Sequence, residues 1–233
     1  MTTRLFLVRH GATSLSAEDR FAGFTDVELS PEGRAQAEHL ADRLADDKIA
    51  AAYCSPTKRT LETAAIIARP HKLTPIAREG LREIHHGRWE GLRRAEVEAR
   101  FADEYAAWEA DPFTFAPEGG ESGLSVMARA LPVIREVVAR HVDQNVLVVS
   151  HKATIRLLIS SLLGFDARGY RDRLDQRPAC LNILDFKDTV RARLMLFNDI
   201  SHYSDHPIRA NAHLSKWWDV PEVSGQPEKI IIR

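Results

Sequence analysis

Basic side chains follow apolar segments at three separate places in the chain. Arg9 and His10 come directly after the first apolar run. Ser55 follows the second run, with Arg59 four residues further on, and His151 comes after the third. Guanidinium groups match the geometry of phosphate oxygens, and an imidazole can act as a nucleophile or move a proton near neutral pH. If the fold brings these side chains together, they form a pocket for a dianion such as a phosphate group.

The elements that would position these side chains are strands and helices in alternation. Continuous apolar runs are typical of strands covered on both faces, and Ser30-Pro31 and Ser55-Pro56 are expected to cap the helices that follow. We predict strands over 5–8, 49–54 and 145–149 and helices over 31–44, 57–68, 122–141 and 153–163. This order predicts a parallel α/β sheet, in which ligands bind at the carboxyl ends of the strands.

The remaining segments complete this prediction. Alternating polarity predicts strands over 179–186 and 191–197 as an antiparallel hairpin at one sheet edge. No fixed repeat and no linker rich in Pro, Gly or Ser divides the chain, which predicts one domain over 1–233. Within it we expect a cap-like insertion around 87–120 and a C-terminal tail over 203–233. The apolar content of the tail calls for a partner surface, so the tail either packs over this subunit's own cleft or forms a subunit contact in a homodimer.

The composition excludes several classes of protein. The 233 residues are 44% hydrophobic and 28% charged, which is typical of a globular protein and not of a disordered or collagen-like one. A net charge of -1 gives no attraction to nucleic acid or membrane surfaces, so we expect neither as a partner. Cys54 and Cys180 form no metal or disulfide motif, and no apolar stretch reaches membrane-spanning length, so we expect a cytoplasmic protein.

Each candidate residue also has an ordinary structural interpretation. A single histidine after a strand is usually just hydrogen-bonded, and Arg59 alone is typical of a solvated first helical turn. An imidazole follows two of the predicted strands, at His10 and at His151, and this repetition favours a shared pocket.

Four motifs, in this order along 5–163, resemble those of the histidine phosphatase superfamily, the phosphoglycerate mutase-like proteins. They are Arg9-His10-Gly11 with Thr13; Ser55-Pro56 with Arg59-Thr60 and Thr63-Ala64; Leu81-Arg82-Glu83 with Gly87 and Trp89-Glu90-Gly91; and Ser150-His151. The triplet alone is a weak signal, but the ordered set is specific.

The resemblance implies a three-layer α/β/α sandwich around a mostly parallel sheet. It also implies that His10 is the nucleophile that becomes phosphorylated, while Arg9, Arg59 and a protonated His151 hold the phosphoryl oxygens. Glu83 would give a proton to the leaving oxygen and later accept one from water. No metal ion or other cofactor is required by this scheme, and the partner would be a small phosphate ester.

Other residues near these motifs carry open alternatives. Thr13 and Ser16 are candidate phosphate-binding residues, although many relatives have an Asn where this chain has Ser16. Lys152 stands where most relatives have Gly, and it either contacts a second anionic group of the substrate or points outward from the helix start. Without the family resemblance, Glu83 is expected to be a surface carboxylate paired with Arg82 or Arg78.

Two further groups have a structural interpretation that we favour. Helix capping accounts for Glu121 and Ser122, although a role in the pocket is an alternative. Aspartates interleave with the basic residues of 168–177, which favours a self-paired, solvated surface over a rim that attracts acidic substrates.

These observations lead to one favoured function and two alternatives. We favour a metal-independent phosphomonoester hydrolase acting on small phosphorylated metabolites. A cofactor-dependent phosphoglycerate mutase is the first alternative, but the segment from Glu83 to His151 looks short for one. A catalytically silent module that binds phospho-ligands is the second, and the intact set of candidate residues argues against it.

Overall fold

The computed structural model describes residues 2–17, 20–204 and 214–219, apart from the side chains of 16, 17 and 218. Six strands form one sheet: β1 (Thr3–Arg9), β2 (Ile49–Cys54), β3 (Ile76–Ala77), β4 (Asn145–Ser150), β5 (Leu181–Phe186) and β6 (Ala192–Asp199). Seven α-helices lie in this described part: α1 (Pro31–Leu44), α2 (Lys58–Ala68), α3 (Arg94–Arg100), α4 (Ala102–Ala110), α5 (Gly123–Arg140), α6 (Lys152–Leu163) and α7 (Tyr170–Arg173).

The sheet has the strand order β3-β2-β4-β1-β5-β6. The first four strands are parallel, while β5 pairs antiparallel with both β1 and β6. The predicted parallel sheet and its antiparallel edge hairpin are therefore confirmed. Sequence reasoning missed β3, which has only two residues and lies exposed at the other edge.

The register of the two central strands decides where the site forms. Arg9 at the end of β1 lies opposite Ser150 at the end of β4. The backbone N–H of His10 then donates to the carbonyl oxygen of Ser150 at 3.0 Å. As a result, His10 and His151 follow the carboxyl ends of two adjacent central strands and lie on the same side of the sheet.

Apolar side chains alternate between the two faces of β1. Leu5 and Leu7 pack on one face against buried residues of α5 and α6, and Phe6 and Val8 pack on the other against α1 and α2. Burial of each such side chain stabilises the fold by about 1.5–3 kcal/mol. Two cores on opposite faces of one sheet give the three layers that the resemblance implied.

The helix ends show where local sequence signals succeed and fail. Pro31 begins α1 after Ser30, whose hydroxyl accepts from the Gly33 N–H at 3.1 Å, as predicted. The same Ser-Pro signal misleads at Ser55, because the N-cap of α2 is Thr57 and the side chain that accepts from the first N–H of that helix is Asp26, at 2.8 Å. Ser55 is fully buried and contacts a histidine ring instead.

The part of the chain expected as a cap has a small core of its own. Aromatic rings of Phe21, Trp89, Tyr105 and Trp108 pack together there with Val97. They join α3 and α4 to the loop that follows β1. Among the described residues, no helix combines the length and the apolar content needed to cross a membrane.

The loop after β1 and the start of α1 touch through their backbones. A Cβ atom on Gly33 would overlap the carbonyl oxygen of Ala12, and one on Gly11 would overlap the carbonyl oxygen of Gly33. Only glycine fits such an approach, because neither backbone can move without disturbing β1 or α1.

We predict that Gly33→Ala lowers the free energy of unfolding by about 2 kcal/mol or more, because the new methyl group meets backbone and not a flexible side chain. Gly164→Ala is the matched control. Gly164 ends α6 with a φ of +71° and has open space around its Cα, so only backbone strain of about 1–2 kcal/mol applies there. Urea unfolding measures both, and a larger loss at Gly164 would contradict the close approach.

Candidate active site

His10 is buried at the carboxyl end of β1, with 6% of its surface exposed. Its Nδ1 lies 2.8 Å from the carbonyl oxygen of Gly11. A carbonyl only accepts, so Nδ1 carries the ring proton and Nε2 keeps its lone pair. Burial, and then the positive charges of Arg9 and Arg59, lower the pKa of His10 well below its usual value. The ring is therefore a neutral imidazole, which is the nucleophilic form.

His151 faces His10 across the site, with ring centroids 5.2 Å apart and an interplanar angle of 64°. Its Nδ1 accepts from Nε of Arg59 at 3.3 Å, and its Nε2 lies 2.8 Å from the hydroxyl of Ser55. Burial and the charge of Arg59 lower the pKa of His151 well below its usual value. These surroundings favour the neutral ring with its proton on Nε2, in contrast to the expected protonated His151. The charge of His151 beside a bound phosphate group stays a prediction.

Arg59 is almost completely buried on the first turn of α2, with 3% of its surface exposed. Its Nη1 donates to the carbonyl oxygen of Thr25 at 2.7 Å, and its Nη2 donates to that of Gly23 at 2.8 Å. The solvated interpretation of Arg59 is therefore wrong. A backbone loop and His151 together fix the direction of its guanidinium group.

Glu90 holds that loop in place. Its carboxylate accepts from the N–H groups of Gly23 and Phe24, from the hydroxyl of Thr25, and from the N–H of His86 at 2.9 Å. The sequence motif contains Glu90 but gives it no role. Its partners are mostly backbone groups distant in the chain, which a sequence pattern does not reveal.

Arg9 lies beside the two imidazoles at the end of β1. Its Nη1 donates to the carbonyl oxygen of Gln176 at 2.7 Å, while its buried Nε has no hydrogen-bond partner among the described residues. Burial lowers its pKa from the ordinary arginine value. A buried guanidinium with an unused donor is suited to binding an anion.

Glu83 is buried, and its side chain packs against the first turn of α6. It pairs with neither neighbouring arginine, because Arg82 pairs with Glu79 and Arg78 with Glu136. Its carboxylate accepts from the N–H groups of Ala153 and Thr154 at 3.0 and 3.1 Å, and from the Thr154 hydroxyl at 3.1 Å. The surface interpretation of Glu83 is therefore wrong. Backbone donors hold this carboxyl group in one orientation directly after His151.

Arg129 of α5 supports the segment that carries Glu83. It donates to the carbonyl oxygens of Gly80, Arg82 and Glu83 at 2.8–2.9 Å, and it pairs with Glu121 at 2.8 Å. Glu121 therefore does not cap the helix, contrary to our expectation. Ser122 does cap α5, accepting from the Ser125 N–H at 3.1 Å.

Comparison with known proteins assigns this arrangement to a family. The sequence pattern of the histidine phosphatase superfamily (branch 1) matches residues 5–200. The chain belongs to the histidine phosphatase superfamily. This membership confirms the family and the fold class that the four motifs imply.

Several similar proteins carry the names of phosphatases, which confirms the predicted phosphatase activity. Phosphoserine phosphatase 1 of Hydrogenobacter thermophilus is 37% identical over 163 residues, covering 70% of this chain and 77% of that protein. Glucosyl-3-phosphoglycerate phosphatase of Mycolicibacterium vanbaalenii is 34% identical over 168 residues, covering 69% and 74%. The solved structure of a mycobacterial glucosyl-3-phosphoglycerate phosphatase covers 85% of this chain and 99% of its own, with 31% identity and a TM-score of 0.77.

The remaining candidate residues of this histidine phosphatase lie around the same edge of the sheet. Thr13 is buried in the loop after β1. The backbone of Ser16 lies in a short 3-10 helix, Ser14–Ala17, but its side chain lies outside the described part. Lys152 begins α6, is 38% exposed at its side chain, and has its Nζ 3.9 Å from Asp175. Phosphate contacts of Thr13 and Ser16 stay predictions.

The basic segment after α6 differs in part from its predicted form. Arg168 pairs with Asp166 and Arg177 with Asp175, as the self-paired interpretation requires. Arg171 is not solvated, however, since its side chain is 8% exposed and stacks 4.3 Å from the ring centre of Trp108.

The tail is described only over 214–219, and 205–213 and 220–233 lie outside the described residues. Within that stretch, the carbonyl oxygen of Leu214 accepts from the hydroxyl of Tyr105 at 2.8 Å, and Asp219 pairs with Arg94 at 2.7 Å. These contacts tie this stretch to α3 and α4 of the same chain. A homodimer contact through the tail stays a prediction.

We predict that His10 and His151 both stay neutral as the pH falls from 7 to 6, because a lowered pKa keeps the proton off the second nitrogen. Long-range ¹⁵N–¹H correlation spectra should place the single ring proton on Nδ1 of His10 and on Nε2 of His151. In the urea-unfolded chain, both rings should titrate near about 6.5. An imidazolium signal from either ring of the folded protein at pH 6 would contradict this electrostatic account.

Proposed function

We propose that this protein hydrolyses small phosphate monoesters through a phosphohistidine formed at His10. The observation that supports the proposal most is the state of that ring, a buried neutral imidazole with its Nε2 lone pair among the guanidinium groups of Arg9 and Arg59. Phosphoryl transfer needs a positioned nucleophile and fixed positive charge around the equatorial oxygens. This edge of the sheet supplies both.

In the first step, Nε2 of His10 attacks phosphorus and the ester P–O bond breaks. Arg9 and Arg59 bind the phosphoryl oxygens, and His151 donates from Nε2, exchanging its contact with Ser55 for one with the substrate. Glu83 enters this step as the carboxylic acid and gives its proton to the departing oxygen, which leaves as an alcohol. The product of the step is a phosphohistidine and a carboxylate at Glu83.

In the second step, water attacks the phosphorus of the phosphohistidine. Glu83 takes a proton from that water as the new P–O bond forms, and the P–N bond to His10 breaks with its electrons returning to Nε2. Inorganic phosphate leaves, and both side chains regain their starting states. Because the two guanidinium groups carry the charge in each step, we propose that no metal ion or other cofactor takes part.

Several broader features also belong to this proposal. The relatives' names refer to phosphoserine and to glucosyl-3-phosphoglycerate, which supports a small phosphorylated metabolite as the substrate. Cys54 and Cys180 are free and buried, which fits a reducing cytoplasm. We propose a single domain in which the residues around 87–120 form a cap beside the site.

We predict that His10→Ala lowers kcat/KM by about 10³-fold or more, because no other side chain replaces the nucleophile. Native activity should persist in EDTA. His39→Ala, an exposed histidine on α1, is the matched control and should retain native activity. Phosphate release from an aryl phosphate and from 3-phosphoglycerate measures both variants. Hydrolysis that survives in His10→Ala, or that EDTA abolishes in the native protein, would overturn the mechanism.

We predict that Glu83→Gln slows the first step by about 10²–10⁴-fold for an alkyl phosphate, whose leaving oxygen needs a proton. The burst of an activated aryl phosphate should change much less, because its phenolate leaves unprotonated. Rapid-quench kinetics of the first turnover separates this step from hydrolysis of the phosphohistidine. Equal losses for both leaving groups would show that Glu83 positions other groups and carries no proton.

A further inference from the structure

Three basic side chains converge on one carboxylate beside the proposed phosphate pocket. Asp175 lies 2.9 Å from Nε of Arg177, 3.3 Å from Nη2 of Arg156 and 3.9 Å from Nζ of Lys152. Within the described ranges, Asp175 is the one carboxylate within 4.0 Å of these three groups. The group of Lys152, Arg156, Arg177 and Asp175, here called the basic cluster, therefore has an excess of positive charge.

The basic cluster is unfavourable to stability in three ways. Lys152 and Arg156 are like charges four residues apart on α6, a spacing that makes them repel. Lys152 also stands at the N-terminus of that helix, where the helix dipole disfavours a cation. Arg156 is 91% buried, and its Nε has no hydrogen-bond partner among the described residues. Residues that lower the stability of the fold in these ways are typically found at functional sites.

Burial affects both basic residues of α6. It lowers the pKa of Lys152 to about 7 and that of Arg156 to about 10, and the neighbouring positive charges act in the same direction. Asp175 opposes these shifts but does not cancel them. A bound anion would stabilise both cations, so the basic cluster has unused capacity for one.

The basic cluster is continuous with the proposed phosphate pocket. Lys152 directly follows His151 in the chain, and Arg9 donates to the carbonyl oxygen of Gln176, the residue between Asp175 and Arg177. The charge of Arg9 contributes to the lowered pKa of both Lys152 and Arg156. An anion at the basic cluster therefore lies within reach of a molecule whose phosphate is held by Arg9.

We propose that the basic cluster binds a second anionic group of the substrate, so that the preferred substrates are phosphate monoesters that also carry a carboxylate or a second phosphate. Lys152 and Arg177, at 38% and 20% side-chain exposure, contact that group. Arg156 adds charge from behind, and Asp175 keeps the three cations together. The inference rests on the proposed function and narrows its substrate class.

Three small esters test the preference. Glycerol phosphate has no second anion, 3-phosphoglycerate carries a carboxylate, and 1,3-propanediol bisphosphate carries a second phosphate. We expect kcat/KM for one or both of the latter to exceed that for glycerol phosphate by about tenfold or more, as charge-assisted contacts provide. Whichever of these two esters has the higher kcat/KM shows whether the basic cluster prefers a carboxylate or a second phosphate.

Variants connect the preference to the basic cluster. Lys152→Gln and Arg177→Gln should each lower the ratio of kcat/KM between the anionic ester and glycerol phosphate by about tenfold. Arg168→Gln removes an exposed positive charge from the same stretch of chain and should leave the ratio at its native value. A native ratio near one, or a ratio unchanged in both cluster variants, would overturn the proposed subsite.

Failure of the proposed function would look different. It would appear as no turnover of any ester, the aryl phosphate included. In that case, calorimetry would measure the dissociation constants of the same three esters for the native protein, and these values would test whether the basic cluster binds a second anionic group. Tighter binding of an anionic ester, weakened by Lys152→Gln, would support the subsite, and equal dissociation constants would contradict it.

Discussion

The structure depends on the burial of two imidazoles beside two guanidinium groups at the carboxyl ends of the central parallel strands. Four potential cations cannot share a buried space at low energetic cost, and the histidines are the members that lose their charge. Arg9 and Arg59 keep theirs, because a guanidinium is too basic to be neutralised. The same electrostatic conflict therefore produces both a neutral nucleophile and the charge that binds its target.

Backbone groups, more than side chains, fix this arrangement. The Gly11 carbonyl selects the His10 tautomer, the Gly23 and Thr25 carbonyls aim Arg59, and the first N–H groups of α6 hold Glu83. Backbone partners are rigid when their elements are rigid, so the site is organised before substrate arrives. Glu90 holds the loop that provides the Gly23 and Thr25 carbonyls, and Arg129 holds the segment that carries Glu83.

Sequence reasoning located the centre of the site because its signals are local. An apolar run that stops at Arg9-His10, and another that stops at Ser150-His151, place both imidazoles at strand ends. Sequence reasoning failed where the same local pattern occurs in two different structural settings. Ser55-Pro56 reads as a helix cap like Ser30-Pro31, yet Ser55 contacts His151 from a buried position. The difference lies in the neighbouring strand, which a local pattern does not contain.

Long-range contacts account for the other corrections. Arg171 has aspartates nearby in the chain and pairs with Asp172, but the ring of Trp108 on α4, distant in the chain, also covers it. Glu121 precedes a helix as a capping residue would, but Arg129 and the N–H of His85 bind it instead. Charge patterning predicts which residues pair. It does not predict which pairs the tertiary fold buries.

In the proposed mechanism, the neutral imidazole of His10 accepts the phosphoryl group. The most direct measurement is mass spectrometry of the protein quenched at alkaline pH during turnover of a phosphate ester. We predict one phosphoryl group per chain, on the imidazole of His10, stable in alkali and lost in acid. Phosphate on another residue, or turnover with no covalent intermediate in a quench fast enough to trap it, would contradict a phosphohistidine at His10.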